Sequence, residues 1–375
     1  MKKFLSLSAF VMFAFLFSSK GNDVQPSWNI NFQNSKVFIE NRGQFSLPEN
    51  CGSEKVIYAY DNGASMIYFT ATGVTYSLKK IVGKKNDEER KEELEKPGDD
   101  WKKKEEEEKR VDFISDVVTM HWQNANADVQ LMAMNPAGET FSYSYYSGKE
   151  TREVNAVPAF KKIIYKNLYA GIDVVYEFHP VEGIKYSIII HPGADASLVK
   201  MIYSGNRKLI LQNGDLKIAT LFGNITDHAP KTFYGCSKEE INSSFIKKQN
   251  TISFFLGNYD HSKEIIIDPW TVNPAMPNSQ KVWEIEADSS GNAYIYGGDW
   301  PNCKLQKYNL AGVLQWTNIT AGYDSSSWIG TLATDLVGNS YVTIGSSAAI
   351  KKVNTSGATQ WNVTGGLLDE YWSLA

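Results

Sequence analysis

Short runs in which apolar and polar residues alternate, closed by Gly, Asn or Asp, dominate the chain from residue 36 onward. Val56–Tyr60 is followed by Asp61-Asn62-Gly63, and Asn213-Gly214 separates two further runs. An Asn-Gly pair between apolar runs is a strong signal of a β-hairpin, because its turn needs positive φ angles. No long amphipathic helix pattern is present. The pattern therefore predicts an all-β chain whose N-terminal part is a β-sandwich or a partly closed barrel.

The segment 83–110 departs from this pattern, because charges of both signs crowd together there and apolar residues almost vanish. Such a segment buries too little apolar surface to offset the entropy lost on ordering. We interpret it as a solvated insertion in one β-rich N-terminal domain, or domains, over residues 24–270; a charged docking arm is the alternative. Prolines at 269, 274 and 277 indicate a linker over residues 271–280.

The sequence after residue 280 repeats itself. Asp288–Tyr294 matches Asp335–Tyr341 at an offset of 47, and Lys307–Trp316 matches Lys352–Trp361 at an offset of 45. Four short strands in about 45 residues is the size of a β-propeller blade. We therefore predict a partial propeller over residues 281–375, with two blades and, at Tyr371–Ala375, the start of a third. A solenoid of the same period is the alternative. A closed propeller needs at least four blades, so we expect a fragment of a longer protein.

Six residues of the repeat are predicted to shape its turns: Asp288, Gly291, Asn292, Asp335, Gly338 and Asn339. Asp accepts hydrogen bonds from the backbone two residues on, while Gly and Asn tolerate positive φ. A Ca²⁺ ion at these turns is the alternative, although each motif carries one carboxylate and Ca²⁺ takes six to eight oxygens. Trp316 and Trp361 recur with the repeat, which favours packing between blades over stacking on a sugar.

The first residues carry the pattern of a secretory signal. Lys2 and Lys3 precede an apolar run over Phe4–Phe17, which ends at Ser18-Ser19. The run is shorter than the roughly 20 residues of a membrane-spanning helix. Residues 1–19 are therefore predicted to be a cleaved signal peptide, with an uncleaved anchor as the alternative. No later segment is apolar and long enough to span, so we expect an extracellular or outer-surface protein without a membrane span in the mature chain.

Charge and cysteine content limit which partners and which cysteine pairings we expect. The formal net charge is −4 and no basic field stands out, which excludes nucleic acid as an expected partner. Three cysteines, Cys51, Cys236 and Cys303, leave one thiol over in any pairing. A bridge between Cys51 and Cys236 stays open, but buried or incidental thiols are favoured.

Candidate catalytic residues are few. Asp173 and Glu177 lie four apart in a predicted strand and so share a face, where they could bind Ca²⁺ or act as a glycosidase pair. A solvent-facing pair without a role is favoured. The five histidines lack metal-ligand spacing, and no nucleophile elbow, phosphate loop or dinucleotide fingerprint is present. We therefore predict no catalytic, cofactor-binding or metal residue.

Five N-terminal segments carry a family resemblance: Phe38–Phe45, Tyr169–Tyr176, Tyr186–Asp195, Asp227–Pro230 and Ile265–Trp270. They resemble secreted proteins of Bacteroidetes-type bacteria in which a β-rich domain of unknown function precedes SBBP-type propeller repeats. The resemblance covers roughly residues 36–270, and the repeat motif is similar to that family's propeller units. It implies export by the type IX secretion pathway and brings no catalytic residues.

Two functions follow as hypotheses. The first is a secreted or cell-surface, non-catalytic scaffold for binding, adhesion or structure, whose partner is an extracellular protein or glycan. The alternative is a secreted polysaccharide-acting enzyme, a hydrolase or lyase. A groove that holds two carboxylates about 5–10 Å apart would favour the enzyme.

Overall fold

The computed structural model describes residues 35–49, 51–83, 112–147, 150–180, 183–205, 207–274, 282–299, 302–321, 330–343 and 349–364. Within these ranges the chain is all-β, which confirms the predicted fold class, and the helical structure is a single 3-10 turn at Ala196–Leu198. That part of the chain contains no helix that is long and apolar enough to cross a membrane. The predicted signal peptide, nearly all of the charged insertion and the predicted start of a third blade lie outside the described residues.

The strands up to residue 272 are β1 Phe38–Glu40, β2 Tyr58–Asn62, β3 Ser65–Phe69, β4 Gly73–Gly83, β5 Asp112–Trp122, β6 Gln130–Ser147, β7 Glu150–Tyr169, β8 Ile172–Phe178, β9 Ile184–Ile190, β10 Met201–Tyr203, β11 Leu209–Gln212, β12 Asp215–Thr220, β13 Gly223–Asp227, β14 Lys231–Tyr234, β15 Glu240–Ile241, β16 Ser243–Lys248, β17 Thr251–Leu256, β18 Ile265–Asp268 and β19 Trp270–Val272.

These strands form one continuous, nearly closed antiparallel sheet. Neighbouring strands run in the order β16-β17-β10-β5-β4-β3-β2-β1-β7-β8-β9-β18-β14-β15. Strand β9 also pairs with β19, which leads through β13 and β12 to β11. Strand β19 thus covers the first residues of the segment that the prolines had indicated as a linker.

Strict alternation places the core on one side of this sheet. In β9, Ile184, Tyr186, Ile188 and Ile190 are buried, while the residues between them are half-buried. Successive side chains of a strand point to opposite faces, so one face closes over the interior. Aromatic rings pack together in this interior, edge-to-face for Phe69 and Tyr176 at 5.2 Å and stacked for Tyr176 and Tyr186 at 5.8 Å between centroids. Burial of each such side chain contributes about 1.5–3 kcal/mol.

The longest elements form a hairpin of which the sequence pattern predicts only the short run Lys162–Tyr165. Strands β6 and β7 have 18 and 20 residues and pair with two register shifts, between Pro136 and Thr140 and between Phe141 and Tyr143. Asn135 and Ala156 take positive φ at these irregularities. Such bulges break the period-two alternation that reveals a strand in a sequence.

Two four-stranded antiparallel meanders follow, and we call them the first and second repeat units. The first comprises β20 Val282–Ala287, β21 Ala293–Asp299, β22 Asn302–Tyr308 and β23 Leu314–Ala321. The second comprises β24 Leu332–Thr334, β25 Ser340–Thr343, β26 Ala349–Val353 and β27 Thr359–Thr364.

The long hairpin is the platform for both repeat units. Strand β23 pairs in parallel with β6, with Trp316–Ala321 opposite Thr140–Tyr145. In the second unit, the Thr359 backbone N–H donates to Asn155 Oδ1 at 3.0 Å, and the Thr359 hydroxyl lies 3.3 Å from Ser144 Oγ. The long hairpin therefore joins the N-terminal region to the repeats.

Candidate binding face of the repeat units

An aspartate organises the first turn of the first repeat unit. Asp288 Oδ1 accepts hydrogen bonds from the backbone N–H groups of Ser290 (2.9 Å) and Asn292 (3.1 Å). Its Oδ2 accepts from the Asn292 side-chain amide (2.8 Å) and from the Tyr294 hydroxyl (3.0 Å). Burial opposes ionisation, but these hydrogen bonds hold the pKa of the Asp288 carboxyl below its usual value. Gly291 supplies the positive φ of the turn, +77°.

The second repeat unit has the same turn 47 residues later. Asp335 Oδ1 accepts from the N–H groups of Val337 (3.2 Å) and Asn339 (2.8 Å), and Oδ2 accepts from the Asn339 amide (2.8 Å). Gly338 has φ +93°. Both carboxylates are thus occupied by N–H donors of their own turns. Within the described ranges, no group of three or more His, Cys, Asp or Glu side chains is arranged to hold a metal ion.

An asparagine organises the second turn of each unit. Asn309 Oδ1 accepts from the N–H groups of Ala311 (3.0 Å) and Val313 (2.9 Å). In the second unit, Asn354 accepts from Ala358 at 2.9 Å in the same way. Each turn delivers the strand that carries the repeated tryptophan, so the two units present Trp316 and Trp361 at equivalent positions.

Trp316 lies at the centre of the contact between the units and is 4% exposed. Its Nε1 donates to the Thr355 carbonyl of the second unit at 3.0 Å. Gly357, in the same turn as Thr355, lies directly against the indole. A Cβ atom there would come within 2.6 Å of the ring, so the contact requires glycine. The Asn318 amide donates to the Gly357 carbonyl at 3.0 Å. The Asn-x-x-Gly turn of one unit thus covers the tryptophan face of the other.

The aspartate turn of the second unit makes the matching contact on the other side of this face. A Cβ atom at Gly338 would lie 2.3 Å from the Tyr294 hydroxyl, so only glycine fits there. Nearby, the Ser289 hydroxyl donates to the Leu336 carbonyl at 2.6 Å. The predicted turn glycines therefore serve the packing of units as well as the turn.

A glutamate on the first strand of the first unit accepts hydrogen bonds from the start of the second unit. Glu284, on β20, accepts hydrogen bonds from the Thr331 hydroxyl at 2.9 Å and from the Leu332 backbone N–H. A buried cluster fills the space between the units: Tyr294, Tyr296, Cys303, Leu305 and Trp316 from the first and Leu332, Val342 and Val353 from the second.

One lysine is enclosed in the same contact. Lys351 is 1% exposed, and its Nζ donates to Asn318 Oδ1 and to Thr320 Oγ1, both at 2.7 Å. Burial lowers the pKa of the Lys351 amine to about 8, because the charged form loses its hydration there. No sequence pattern predicts the burial of Lys351, because it lies in an ordinary alternating strand.

The second unit covers one face of the first unit. The equivalent residues of the second unit lie on its own outward face. In the first unit, the Tyr294 and Trp316 rings lie 5.9 Å apart and Lys307 Nζ is 5.2 Å from the Tyr294 ring. In the second unit, Tyr341 and Trp361 lie 6.1 Å apart, and Lys352 Nζ is 5.3 Å from Tyr341. Trp361, however, is 41% exposed. We call Tyr341, Lys352, Trp361 and Val363 the open face.

The predicted carboxylate pair is neutralised by lysines. Glu177 forms ion pairs with Lys162 and Lys185, and Lys185 Nζ also lies 3.1 Å from Asp268. Burial opposes ionisation, yet the two lysines hold the pKa of the Glu177 carboxyl below its usual value. A general acid needs a raised pKa instead.

Asp173 is 2% exposed, so the expectation of a solvent-facing pair is wrong for this residue. Lys166 Nζ lies 2.5 Å from its Oδ2, and His191 Nε2 lies at 3.0 Å. Here too the hydrogen bonds outweigh burial, so the pKa of the Asp173 carboxyl is lowered. Asp173 and Glu177 therefore each belong to a network of ion pairs and hydrogen bonds with neighbouring lysine and histidine side chains.

Two of the remaining histidines lie against one tryptophan ring. The His179 and His228 rings both stack with the Trp270 ring, at 5.1 and 4.4 Å between centroids. All three cysteines are free, which answers the open question of a Cys51–Cys236 bridge.

Comparison with known proteins places the N-terminal region. Residues 38–270 match the family model described as Domain of unknown function (DUF7948), which spans more than half of the chain. The chain belongs to the DUF7948 family. The match nearly coincides with the part of the chain that carried the resemblance, and it ends where β19 begins, at Trp270. No curated protein matches the chain. The repeat units lie C-terminal to the DUF7948 domain.

Proposed function

We propose that this protein is a secreted, non-catalytic scaffold in which the DUF7948 domain holds a stack of propeller-type repeat units. The observation that supports this proposal most directly is the hairpin β6–β7, which pairs with β23 and hydrogen-bonds the second unit. A folded domain that anchors repeated units edge-on suits a protein that presents a surface to a partner. The partner in this proposal is an extracellular protein or glycan.

The export part of the proposal rests on residues 1–19 and on the resemblance to secreted Bacteroidetes-type proteins with SBBP-type repeats. That resemblance also suggests the type IX pathway. A fusion of residues 1–19 to a leaderless reporter enzyme tests export directly. We expect reporter activity outside the cytoplasm, and retention of the unprocessed fusion in the cytoplasm would contradict the proposal.

The binding part is tested with the full chain on a panel of immobilised polysaccharides and extracellular matrix proteins. We expect retention on at least one member without release of new reducing ends from any polysaccharide. Glu177→Gln serves as the control, because this residue belongs to the lysine network and not to the repeat units. New reducing ends that disappear in this variant would favour the polysaccharide-acting alternative, and retention on no member of the panel would contradict the scaffold.

A further inference from the structure

The contact between the repeat units encloses an amine and an amide that come from different units. Lys351 on β26 and Asn318 on β23 are each 1% exposed, and Lys351 Nζ donates to Asn318 Oδ1 at 2.7 Å. Since a C=O bond is about 1.2 Å long, the side-chain carbonyl carbon Cγ of Asn318 lies within about 4 Å of the amine nitrogen. A primary amine and a carboxamide carbon are thus held next to each other, away from water.

We propose that Lys351 and Asn318 join in an intramolecular isopeptide bond that links the two repeat units covalently. The neutral Lys351 amine adds to Cγ of Asn318, so a bond forms between Nζ and Cγ. The bond between Cγ and Nδ2 then breaks, and Nδ2 leaves as ammonia with the proton that Nζ gives up. One amide replaces another, so the reaction needs no oxidant and no reductant. This modification goes beyond the proposed scaffold function and depends on no binding partner.

The Asn318 side chain is oriented for this reaction. Its Nδ2 donates to the Gly357 carbonyl at 3.0 Å and to the Thr359 hydroxyl at 3.1 Å, which fixes the amide so that Oδ1 faces Lys351. Thr320 Oγ1 accepts a second hydrogen bond from the amine at 2.7 Å. A nucleophile and a carbonyl group that are positioned in this way react with an effective concentration far above that of free molecules.

The burial that encloses Lys351 also favours the reactive form of its amine. Only the neutral amine is a nucleophile, and burial lowers the pKa of the Lys351 amine to about 8. About a tenth of such a group is neutral at pH 7, which is roughly two hundred times the fraction for an ordinary lysine. The charges of Glu153 and Cys303 act in the opposite direction and raise the pKa of Lys351 by less. The amide that results has no such proton, so the titration of Lys351 belongs to the chain before reaction.

A carboxylate on the long hairpin borders the reacting pair. Glu153 on β7 accepts a hydrogen bond from the Asn362 side-chain amide, and Asn362 lies directly opposite Lys351 in the pairing of β26 with β27. The amine must lose a proton as the bond forms, and the leaving nitrogen must gain one. Glu153 is thus a positioning residue, whose carboxylate offers an acceptor for the proton that leaves the amine.

The bond would stabilise the stack of units without any thiol. Asn318 and Lys351 are 33 residues apart, so a link between them restrains the unfolded chain as a disulfide does. All three cysteines of the chain are free. A link of this kind withstands reducing agents, because it contains no sulfur–sulfur bond.

Mass spectrometry of the full chain tests the bond directly. The folded chain is held at about pH 9 for several days, where most of the Lys351 amine is neutral, and is then denatured and weighed intact. We expect a loss of one ammonia per chain, with faster loss at about pH 9 than at pH 7. Chymotrypsin cleaves after aromatic residues such as Tyr323 and Tyr341, so it separates the two positions in sequence. The digest should then contain a peptide with Asn318 joined covalently to a peptide with Lys351.

Matched variants locate the reaction. Lys351→Met and Asn318→Ala each remove one reactant and should abolish both the ammonia loss and the linked peptides. Lys352→Met replaces the neighbouring lysine, which lies over the Tyr341 ring, and should keep both. Hydrogen exchange of β25 and β26 in each variant shows whether the repeat units stay folded. The result for the unaltered chain does not depend on any variant.

Two changes at Glu153 test its role in proton transfer. Glu153→Gln should slow the ammonia loss several-fold, and Glu153→Asp should restore part of the rate, with hydrogen-exchange protection of the repeat units unchanged in both. Ammonia loss at the unaltered rate in Glu153→Gln would contradict this role.

Absence of the linked peptides from the unaltered chain after the incubation would overturn the proposal. So would ammonia loss that is carried by a cyclised asparagine in an unlinked peptide. The panel of polysaccharides and matrix proteins measures neither quantity, so the scaffold proposal and this one fail separately.

Discussion

The core of the DUF7948 domain and the core between the repeat units both enclose ionisable side chains, and two of opposite charge type, Asp227 in the domain and Lys351 between the units, can be compared directly. In the domain, Asp227 on β13 is 1% exposed and accepts hydrogen bonds from the Tyr186 hydroxyl at 2.5 Å and the Thr271 hydroxyl at 3.2 Å. Between the units, Lys351 donates to Asn318 and Thr320. Burial raises the pKa of Asp227 to about 7 and lowers that of Lys351 to about 8.

The difference lies in what each side chain holds together. Asp227 joins three neighbouring strands, β9, β13 and β19, of one sheet, so its partners come from the fold of a single domain. Lys351 joins two meanders, so its partners exist only when the units are stacked. We infer that the domain core is self-sufficient, whereas the repeat core depends on unit-to-unit contact.

The largest expected effect comes from Trp316→Ala, which should destabilise the repeat units by about 3–5 kcal/mol through the cavity left between them. Hydrogen exchange should report lost protection in β25 and β26 and unchanged protection in β8 and β9. The matched change Trp361→Ala, on the open face, should cost less than about 1 kcal/mol. Equal effects of the two changes would remove the distinction between a covered and an open face.

Asp227→Asn tests the domain core through its pH dependence. A carboxyl whose folded pKa is raised stabilises the protein below its unfolded pKa, and this contribution is lost as the pH rises through the folded value. Relative to Asp227→Asn, the wild-type unfolding free energy should therefore fall by about 3 kcal/mol between pH 4 and 7.

Urea unfolding across this pH range measures the difference. Asp128→Asn, at an exposed position, is the control and should follow the wild type. Parallel curves for wild type and Asp227→Asn would mean that the buried carboxyl does not carry this pH dependence.

Lys351→Met tests the repeat core, and the expected sign is opposite. The unfolded chain keeps the lysine proton up to about pH 10, while the folded chain releases it near pH 8. Wild-type stability relative to Lys351→Met should thus rise by about 2 kcal/mol between pH 8 and 10. Lys208→Met, at an exposed position away from the repeats, is the control. A falling difference over this range would contradict the assignment.

The smallest effect is expected on the outer surface of the sheet. Glu177→Gln removes one partner from two lysines that are each about a third exposed, so it should change the unfolding free energy by less than about 1 kcal/mol. Chemical denaturation at low and high salt measures it, and 1 M salt should abolish the difference. A cost of several kcal/mol would show that this network is part of the core.

Local sequence patterns predicted the features that depend on residues close together in the chain. Alternation and Asn-Gly turns identified the all-β class, and both residues of Asn213-Gly214 take positive φ as that turn requires. The repeated Asp-x-x-Gly-Asn motif placed equivalent turns 47 residues apart, because turn geometry depends on hydrogen bonds between residues close in sequence. Most of the hairpin β6–β7 escaped, since its bulges interrupt the period on which strand recognition depends.

The sequence by itself determined the all-β class, the turns and the equivalence of the two tryptophans, because each depends on neighbours in the chain. Only the tertiary structure decided that Trp316 is covered while Trp361 is open, that Asp173 is buried beside Lys166, and that Lys351 lies between two units. Burial and charge pairing join residues far apart in sequence, and no local pattern contains the partner that determines them.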